Sequence, residues 1–212
     1  MHAELAAAVA RLRAADPKLA PVIDRHGPPP LKPSRDPFFS LARAIVYQQL
    51  SGAAAGTIFG RFLELYPGAK FPTPAVLAAT PVPRLRSAGL SGAKAAALLD
   101  LAAHFADGRV RPAHLRRAAE EDVRAALLPV RGIGPWSVDM FLIFGLVRPD
   151  VLPVGDLGVR KGMQLHFRLR SLPEAPRMEK LAAPWRPYRS LAAWYMWRVV
   201  EDSLTVRPPE RR

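Results

Sequence analysis

Apolar residues recur along this chain at intervals of three and four. No stretch shows the sustained alternation of apolar and polar residues that a half-buried strand requires. Pro and Gly breaks separate Ala- and Leu-rich segments, so the pattern predicts an all-α protein. Leu5, Val9 and Leu12 share a face of a first helix, from about Glu4 to Ala14. Asp16-Pro17 reads as an N-cap with proline at the first helical position, and Gly27-Pro28-Pro29-Pro30 as a stiff connector. Asp36-Pro37 opens a strong helix through Phe38, Leu41, Ile45 and Tyr47 to about Leu50. Ser51-Gly52 interrupts it, and a further helix runs from about Ala53 to Leu65. Pro72 to Pro83 is expected to break into short turns, and Ser91 to cap a helix over Ala93 to Ala106. Helices are predicted over Glu120 to Leu127, Pro135 to Val147, Leu157 to His166 and Tyr188 to Leu204. The tail Arg207 to Arg212 is expected to be disordered.

Charge narrows the partners. The 31 Lys and Arg exceed the 18 Asp and Glu, a net charge of +13, and most of the basic residues are Arg. Arginine stays ionised and pairs bidentately with phosphate, so the excess suits nucleic acid. A merely solubilising surface would have the same sign. With no cysteine, disulfides, thiolate zinc sites and iron–sulfur clusters are excluded. The five histidines show no ligand spacing, so no catalytic metal is expected. The start lacks the features of a signal peptide, and no apolar run reaches the ~20 residues of a membrane helix. These features lead us to expect a cytoplasmic monomer without membrane association, associated with the nucleoid if bacterial.

Two segments carry the chemistry. Leu127-Leu128-Pro129-Val130-Arg131-Gly132-Ile133-Gly134-Pro135-Trp136-Ser137-Val138-Asp139 reads as helix, tight hairpin, helix. Gly132 and Gly134 permit a turn too sharp for residues with a Cβ, with Ile133 pointing inward. Their amides, with those of Trp136 and Ser137 near the N-terminus of the outgoing helix, suit a DNA backbone phosphate. An ordinary glycine-capped corner is the plain alternative. Downstream, Val154-Gly155-Asp156-Leu157-Gly158-Val159-Arg160-Lys161 sets one acid in a Gly-bounded turn. Asp156 can cap the following helix, and the helix N-terminus favours its ionised form.

These segments, with Arg43-Ala44-Ile45-Val46-Tyr47-Gln48-Gln49-Leu50-Ser51, Gly89-Leu90-Ser91-Gly92-Ala93-Lys94 and Trp185 to Arg198, cover most of residues 36 to 200. In that order they resemble the helix-hairpin-helix DNA glycosylases with a Gly/Pro-rich loop and aspartate (HhH-GPD), in particular the AlkA-like 3-methyladenine branch. The length resembles the minimal form without a separate N-terminal β-domain. The resemblance implies one glycosylase unit over 1–212, with two helical lobes and the active-site cleft between them. A central lobe over 36–149 would contain the hairpin, and 1–35 with 150–212 would form the second.

The resemblance also implies roles. Asp156 is the catalytic aspartate, stabilising the oxocarbenium-like charge on the sugar and orienting water. Trp197 corresponds to the aromatic residue that stacks on the extruded base, and Trp136 and Met140 line the opposite side of the base pocket. Trp194, three positions from Trp197, is expected in the core. Gln49 or Leu50 fills the hole left by the flipped base, with Leu50 favoured because an apolar wedge unstacks a duplex. Relatives that also cut the strand carry a lysine two positions after the second glycine. Trp136 stands there, so no lyase step is expected, and Lys161 is expected to be exposed or phosphate-facing. Hairpins of this family hold a monovalent cation through backbone oxygens, here those of Leu128, Val130 and Ile133, as a structural Na+ or K+; no cofactor is required. The expected activity is monofunctional excision of 3-methyladenine, 7-methylguanine and related alkylated bases from double-stranded DNA. The alternatives are a non-enzymatic DNA-binding scaffold and a glycosylase for oxidised or mismatched bases.

Overall fold

The computed structural model describes the backbone of residues 2–205 and side chains from Glu4 to Thr205; the tail Arg207 to Arg212 lies outside the described residues. Every regular element among them is helical. In chain order these are α1 (His2–Ala15), α2 (Ala20–His26), α3 (Pro37–Tyr47), α4 (Gly52–Glu64), α5 (Pro74–Ala78), α6 (Val82–Ser87) and α7 (Gly92–Ala106). They continue with α8 (Pro112–Arg117), α9 (Glu120–Leu127), α10 (Pro135–Met140), α11 (Leu157–His166), α12 (Ala175–Ala182) and α13 (Arg189–Thr205). No helix is long and apolar enough to cross a membrane among the described residues.

The chain forms two compact units, Pro33–Leu146 and the residues up to Lys32 with those from Val147 onward. The sequence placed the central unit at 36–149, three residues later at each end. Its ends are tied together where Ser34 N donates to Gly145 O at 2.8 Å.

In the central unit, α3 buries Phe38, Leu41, Ala42, Ile45 and Val46, a stripe at helical spacing. Asp36 starts this helix by accepting from Phe39 N at 3.1 Å, with Pro37 inside the first turn. An aromatic cluster fills one side of the core: Phe38 lies 5.1 Å from Phe105 and Phe39 lies 5.0 Å from Phe71, centroid to centroid. Full burial of one such ring contributes about 1.5–3 kcal/mol. Helix α3 ends at Tyr47 rather than Leu50, because Gln48 turns to ψ 135° and Gln49 adopts φ +55°. The Pro72–Pro83 stretch, expected as turns, contains α5 and the start of α6; Thr73 caps α5 through Val76 N at 3.4 Å.

The outgoing hairpin helix also departs from expectation. It is α-helical only to Met140, then makes a π-turn over Phe141–Gly145, closed by Leu146 N donating to Phe141 O at 2.9 Å. Val147, expected inside the helix, has φ +54°. Gly145 is required here, since a Cβ would lie 2.5 Å from the Phe141 ring.

In the other unit, α11 crosses α13 at backbone distance. A Cβ on Gly162 would lie 2.3 Å from Met196 O, and one on Gly158 2.6 Å from Trp197 Cδ1. Leu12, Leu19, Val159, Met163, Trp185, Tyr195 and Met196 are nearly fully buried around this crossing. Asp16 accepts from Trp185 Nε1 at 2.9 Å and lies 2.7 Å from His166 Nε2, which ties the turn before α2 to the end of α11. Arg189 bonds both Asp150 and Glu179, which fixes the start of α13. Tyr195 donates to Gly27 O at 2.9 Å, and burial pushes its phenol up to about 12.

Candidate active site

The hairpin is built on a leading helix, α9, whose first turn carries Glu120, Glu121 and Asp122 at the positive end of its dipole. Val130 is 1% exposed and Ile133 5%, so both plug the core beneath the turn. Ile133 N donates to Val130 O at 3.1 Å and closes it. The conformational demand falls on Gly132 alone, with φ +77°. Gly134, expected to share that demand, sits at φ −102° and ψ 177°, ordinary extended backbone, with nothing within 4 Å of a would-be Cβ. Its backbone does not need glycine; the open space around it is what a Cβ would occupy.

Three side chains that the sequence reading did not single out for this purpose hold the turn. Asp100 on α7 accepts from Arg131 N at 2.8 Å. Gln48, at the end of α3, donates through Nε2 to Gly132 O at 3.0 Å and to Ser137 Oγ at 3.3 Å. Arg124 on α9 reaches Asp139 on α10 at 2.6 Å. On α7 itself, Ala97 is small enough to sit 3.0 Å from the place a Cβ on Gly132 would take. The half-buried Gln48 amide is thereby hydrogen-bonded rather than left unsatisfied.

Gln49 and Leu50, the wedge candidates, are both exposed in the bend after α3, Leu50 at 38%. The bend is stiffened by Lys94, whose Nζ donates to Val46 O at 2.7 Å and Gln48 O at 2.8 Å. Partial burial lowers the pKa of this ammonium from its ordinary value. The Gly89–Lys94 motif was visible in the sequence, but the destination of its lysine was not.

Trp136, 45% exposed, and half-buried Met140 line one concavity of about 580 Å³ with Ala44, Tyr47, Gln48, Gln49 and Ser137. A neighbouring cavity of about 290 Å³ shares Ala44, Ser137 and Met140, and adds Phe39, Arg43 and Phe144. Tyr47, read from sequence only as part of a helix stripe, is a wall of the larger space. Its ring is braced by the Arg43 guanidinium, 4.2 Å from the centroid.

In the other unit Asp156 is 8% exposed. It ends a turn in which its own N–H donates to Pro153 O at 2.9 Å, and it caps α11. Its Oδ1 accepts from Val159 N at 2.7 Å and from Trp197 Nε1 at 2.8 Å. Trp197 is half-buried, with its N–H edge at the carboxylate. Trp194, expected in the core, is half-buried and packs against it, with Arg198 4.9 Å over its ring and His26 edge-on at 6.4 Å. Lys161 is exposed. Among the described residues, no group of three or more His, Cys, Asp and Glu is arranged to hold a metal ion.

Comparison with known proteins agrees with this construction. Residues 42–187 match the family model of the HhH-GPD superfamily base excision DNA repair protein. The DNA-3-methyladenine glycosylase 1 of Schizosaccharomyces pombe is 32% identical over 90% of this chain and 86% of its own length. YfjP of Bacillus subtilis is 31% identical over 86% of this chain and 66% of its own. The solved structure of the Schizosaccharomyces pombe 3-methyladenine DNA glycosylase in complex with abasic DNA superimposes with a TM-score of 0.80. That match has 31% identity and covers 90% of this chain and 95% of the other.

Proposed function

Since this chain belongs to the HhH-GPD superfamily of base excision DNA repair proteins, we propose that it hydrolyses the N-glycosidic bond of alkylated purines in double-stranded DNA. The observation that carries this reading is Asp156: a buried carboxylate at a helix N-terminus, fixed by the Val159 and Trp197 N–H groups. The reading is supported by the relatives, whose names specify 3-methyladenine.

In this mechanism the hairpin amides around Gly132, Gly134, Trp136 and Ser137 hold a phosphate, supported by the chain's excess positive charge. Gln49 and Leu50 fill the gap left when the damaged nucleotide leaves the stack. The aromatic and thioether walls given by Trp136, Tyr47 and Met140 suit a flat base. A cationic alkylpurine gains cation–π attraction, about 0.5–2 kcal/mol, that an undamaged base lacks. Trp197 is assigned to base recognition separately, by its correspondence with the stacking aromatic of relatives.

The cationic purine is already a good leaving group. The glycosidic bond breaks with its electron pair going to the base, which departs neutral. Positive charge develops at the sugar, where the Asp156 carboxylate stabilises it. Water then adds at C1′ and gives up one proton to Asp156 or to solvent. Because Trp136 stands at the lyase-lysine position, the product is an intact strand with an abasic sugar.

The hairpin carbonyls of Leu128, Val130 and Ile133 are hard oxygen donors of the kind alkali cations take. Val130 O already accepts from Ile133 N, which leaves its second lone pair for an ion. A bound Na+ or K+ would brace the turn and takes no part in the chemistry. The protein works as a monomer in the compartment that holds the chromosome, the cytoplasm in a bacterium.

The test is base release from duplex DNA, comparing 3-methyladenine, 7-methylguanine, 1-methyladenine, ethenoadenine and 8-oxoguanine. Release of the first two, without borohydride-trappable enzyme–DNA adducts, is the expected result. Release of 8-oxoguanine alone, or of nothing with DNA still bound, overturns it.

A further inference from the structure

We propose that Trp197 is a positioning residue for Asp156, acting through its indole N–H, and that Gly158 is the vacancy that lets it do so. The proposal rests on Asp156 acting on the sugar and adds a role for Trp197 that stacking on a base does not supply.

Two donors meet the same carboxylate oxygen. Val159 N reaches Asp156 Oδ1 at 2.7 Å and Trp197 Nε1 reaches it at 2.8 Å. The first comes from the helix that Asp156 caps, the second from α13, 41 positions away in sequence. The cap hydrogen bond holds Oδ1 from one direction only, and the torsional preference about χ2 is broad. A second donor on the same oxygen, from a different element, narrows the remaining libration and with it the range of directions open to the other oxygen, Oδ2. Both donors are neutral N–H groups, so they orient the charge without cancelling it.

The indole reaches this position only because residue 158 has no side chain. A Cβ there would lie 2.6 Å from Trp197 Cδ1, 2.8 Å from Nε1 and 3.0 Å from Asp156 Oδ1. All three atoms belong to the same hydrogen-bonded pair. The backbone offers no competing reason for glycine, since residue 158 lies inside α11 and its φ is not in the left-handed region. One turn on, Gly162 admits the Met196 backbone in the same way, so the α11–α13 crossing sets the height of the indole. Glycine inside a helix costs about 0.5–1 kcal/mol relative to alanine, a cost here offset by a close approach.

The experiment separates the N–H from the ring. Replacing Trp197 with 3-benzothienylalanine puts sulfur where the indole has N–H and keeps the size and aromatic faces. Single-turnover release of 7-methylguanine should slow by roughly tenfold to a hundredfold, the range for losing a hydrogen bond to a charged group. Affinity for the methylated duplex should stay within about twofold, since no contact to the DNA is altered. Gly158→Ala, with residue 197 unchanged, should slow release to the same extent, because its Cβ forces the indole N–H away from the carboxylate. The double variant should be no slower than the slower single one, because both act on one hydrogen bond. A wild-type rate for the sulfur isostere overturns the proposal, as does weakened binding with an unchanged rate, which would leave Trp197 with a stacking role alone. Asp156→Asn is measured alongside. If it is inactive while the isostere is wild-type, only this proposal falls; if it releases base at the wild-type rate, the function assigned to Asp156 falls with it.

Discussion

Asp139 and Asp156 are both buried aspartates, 5% and 8% exposed, and both belong to segments that open on Gly and Pro. What reaches them differs. Asp139 receives the Arg124 guanidinium at 2.6 Å, a full positive charge from the opposite arm of the hairpin. Asp156 receives the N–H of Val159 and the indole N–H of Trp197, which orient a carboxylate without carrying an opposite charge. The first arrangement ties two helices together. The second holds an anion in a fixed direction, as stabilising a developing cation requires. Burial and residue type therefore do not distinguish the two acids, whereas these donors differ in charge.

Variants at the two positions should fail in opposite ways. Asp156→Asn keeps an N-cap of equal quality and removes the charge, so thermal midpoint should hardly move. Its single-turnover base release should fall by at least about 100–1,000-fold, the scale of losing one electrostatic stabiliser. Asp139→Asn should do the reverse. Breaking a fully buried ion pair costs about 3–5 kcal/mol, and the one-third exposure of the Arg124 side chain reduces that here to about 2 kcal/mol. Urea unfolding would show it as a lower midpoint, with base release per folded molecule unchanged. Should Asp139→Asn instead abolish release in a fully folded protein, the division between the two acids breaks down.

Smaller effects sharpen the contrast between gripping DNA and cutting the sugar bond. Leu50→Ala and Gln49→Ala should each slow release from duplex DNA by about tenfold or less, a fraction of the few kcal/mol of unstacking. From single-stranded DNA, where no gap needs filling, they should slow it less. Equal losses on both substrates would remove these residues from the wedge role. Lys94→Met should cost about 1–2 kcal/mol in unfolding free energy, since it removes a cationic donor from two carbonyls at the end of α3. Its effect on release should be smaller than either wedge variant.

The features legible in the sequence are those whose cause is local. Asp36-Pro37, Ser91 and Asp156 announce helix starts because a capping side chain reaches only two or three residues along the chain. Gly132 was legible for the same reason, as a tight turn demands φ > 0 within one residue. The short helices α8 and α12 were not foreseen; each carries its Pro near the start but is too brief to show a period. The π-turn after Met140, in which the Phe141 ring lies against Gly145, shows no period of its own in the sequence. Gln48, Asp100 and Lys94 show only as polar residues until the fold brings their partners within 3 Å or so. Trp197 was readable as an aromatic matched to the stacking position of relatives. That its N–H meets Asp156 follows from the α11–α13 crossing, which no spacing encodes.

The most direct test of the account is single-turnover release of 7-methylguanine from methylated duplex DNA by wild-type, Asp156→Asn and Asp139→Asn proteins, each checked for folding and DNA binding. The account predicts rapid release by wild-type, near-complete loss with Asp156→Asn at unchanged affinity, and wild-type release by folded Asp139→Asn. Undiminished release by Asp156→Asn would contradict it.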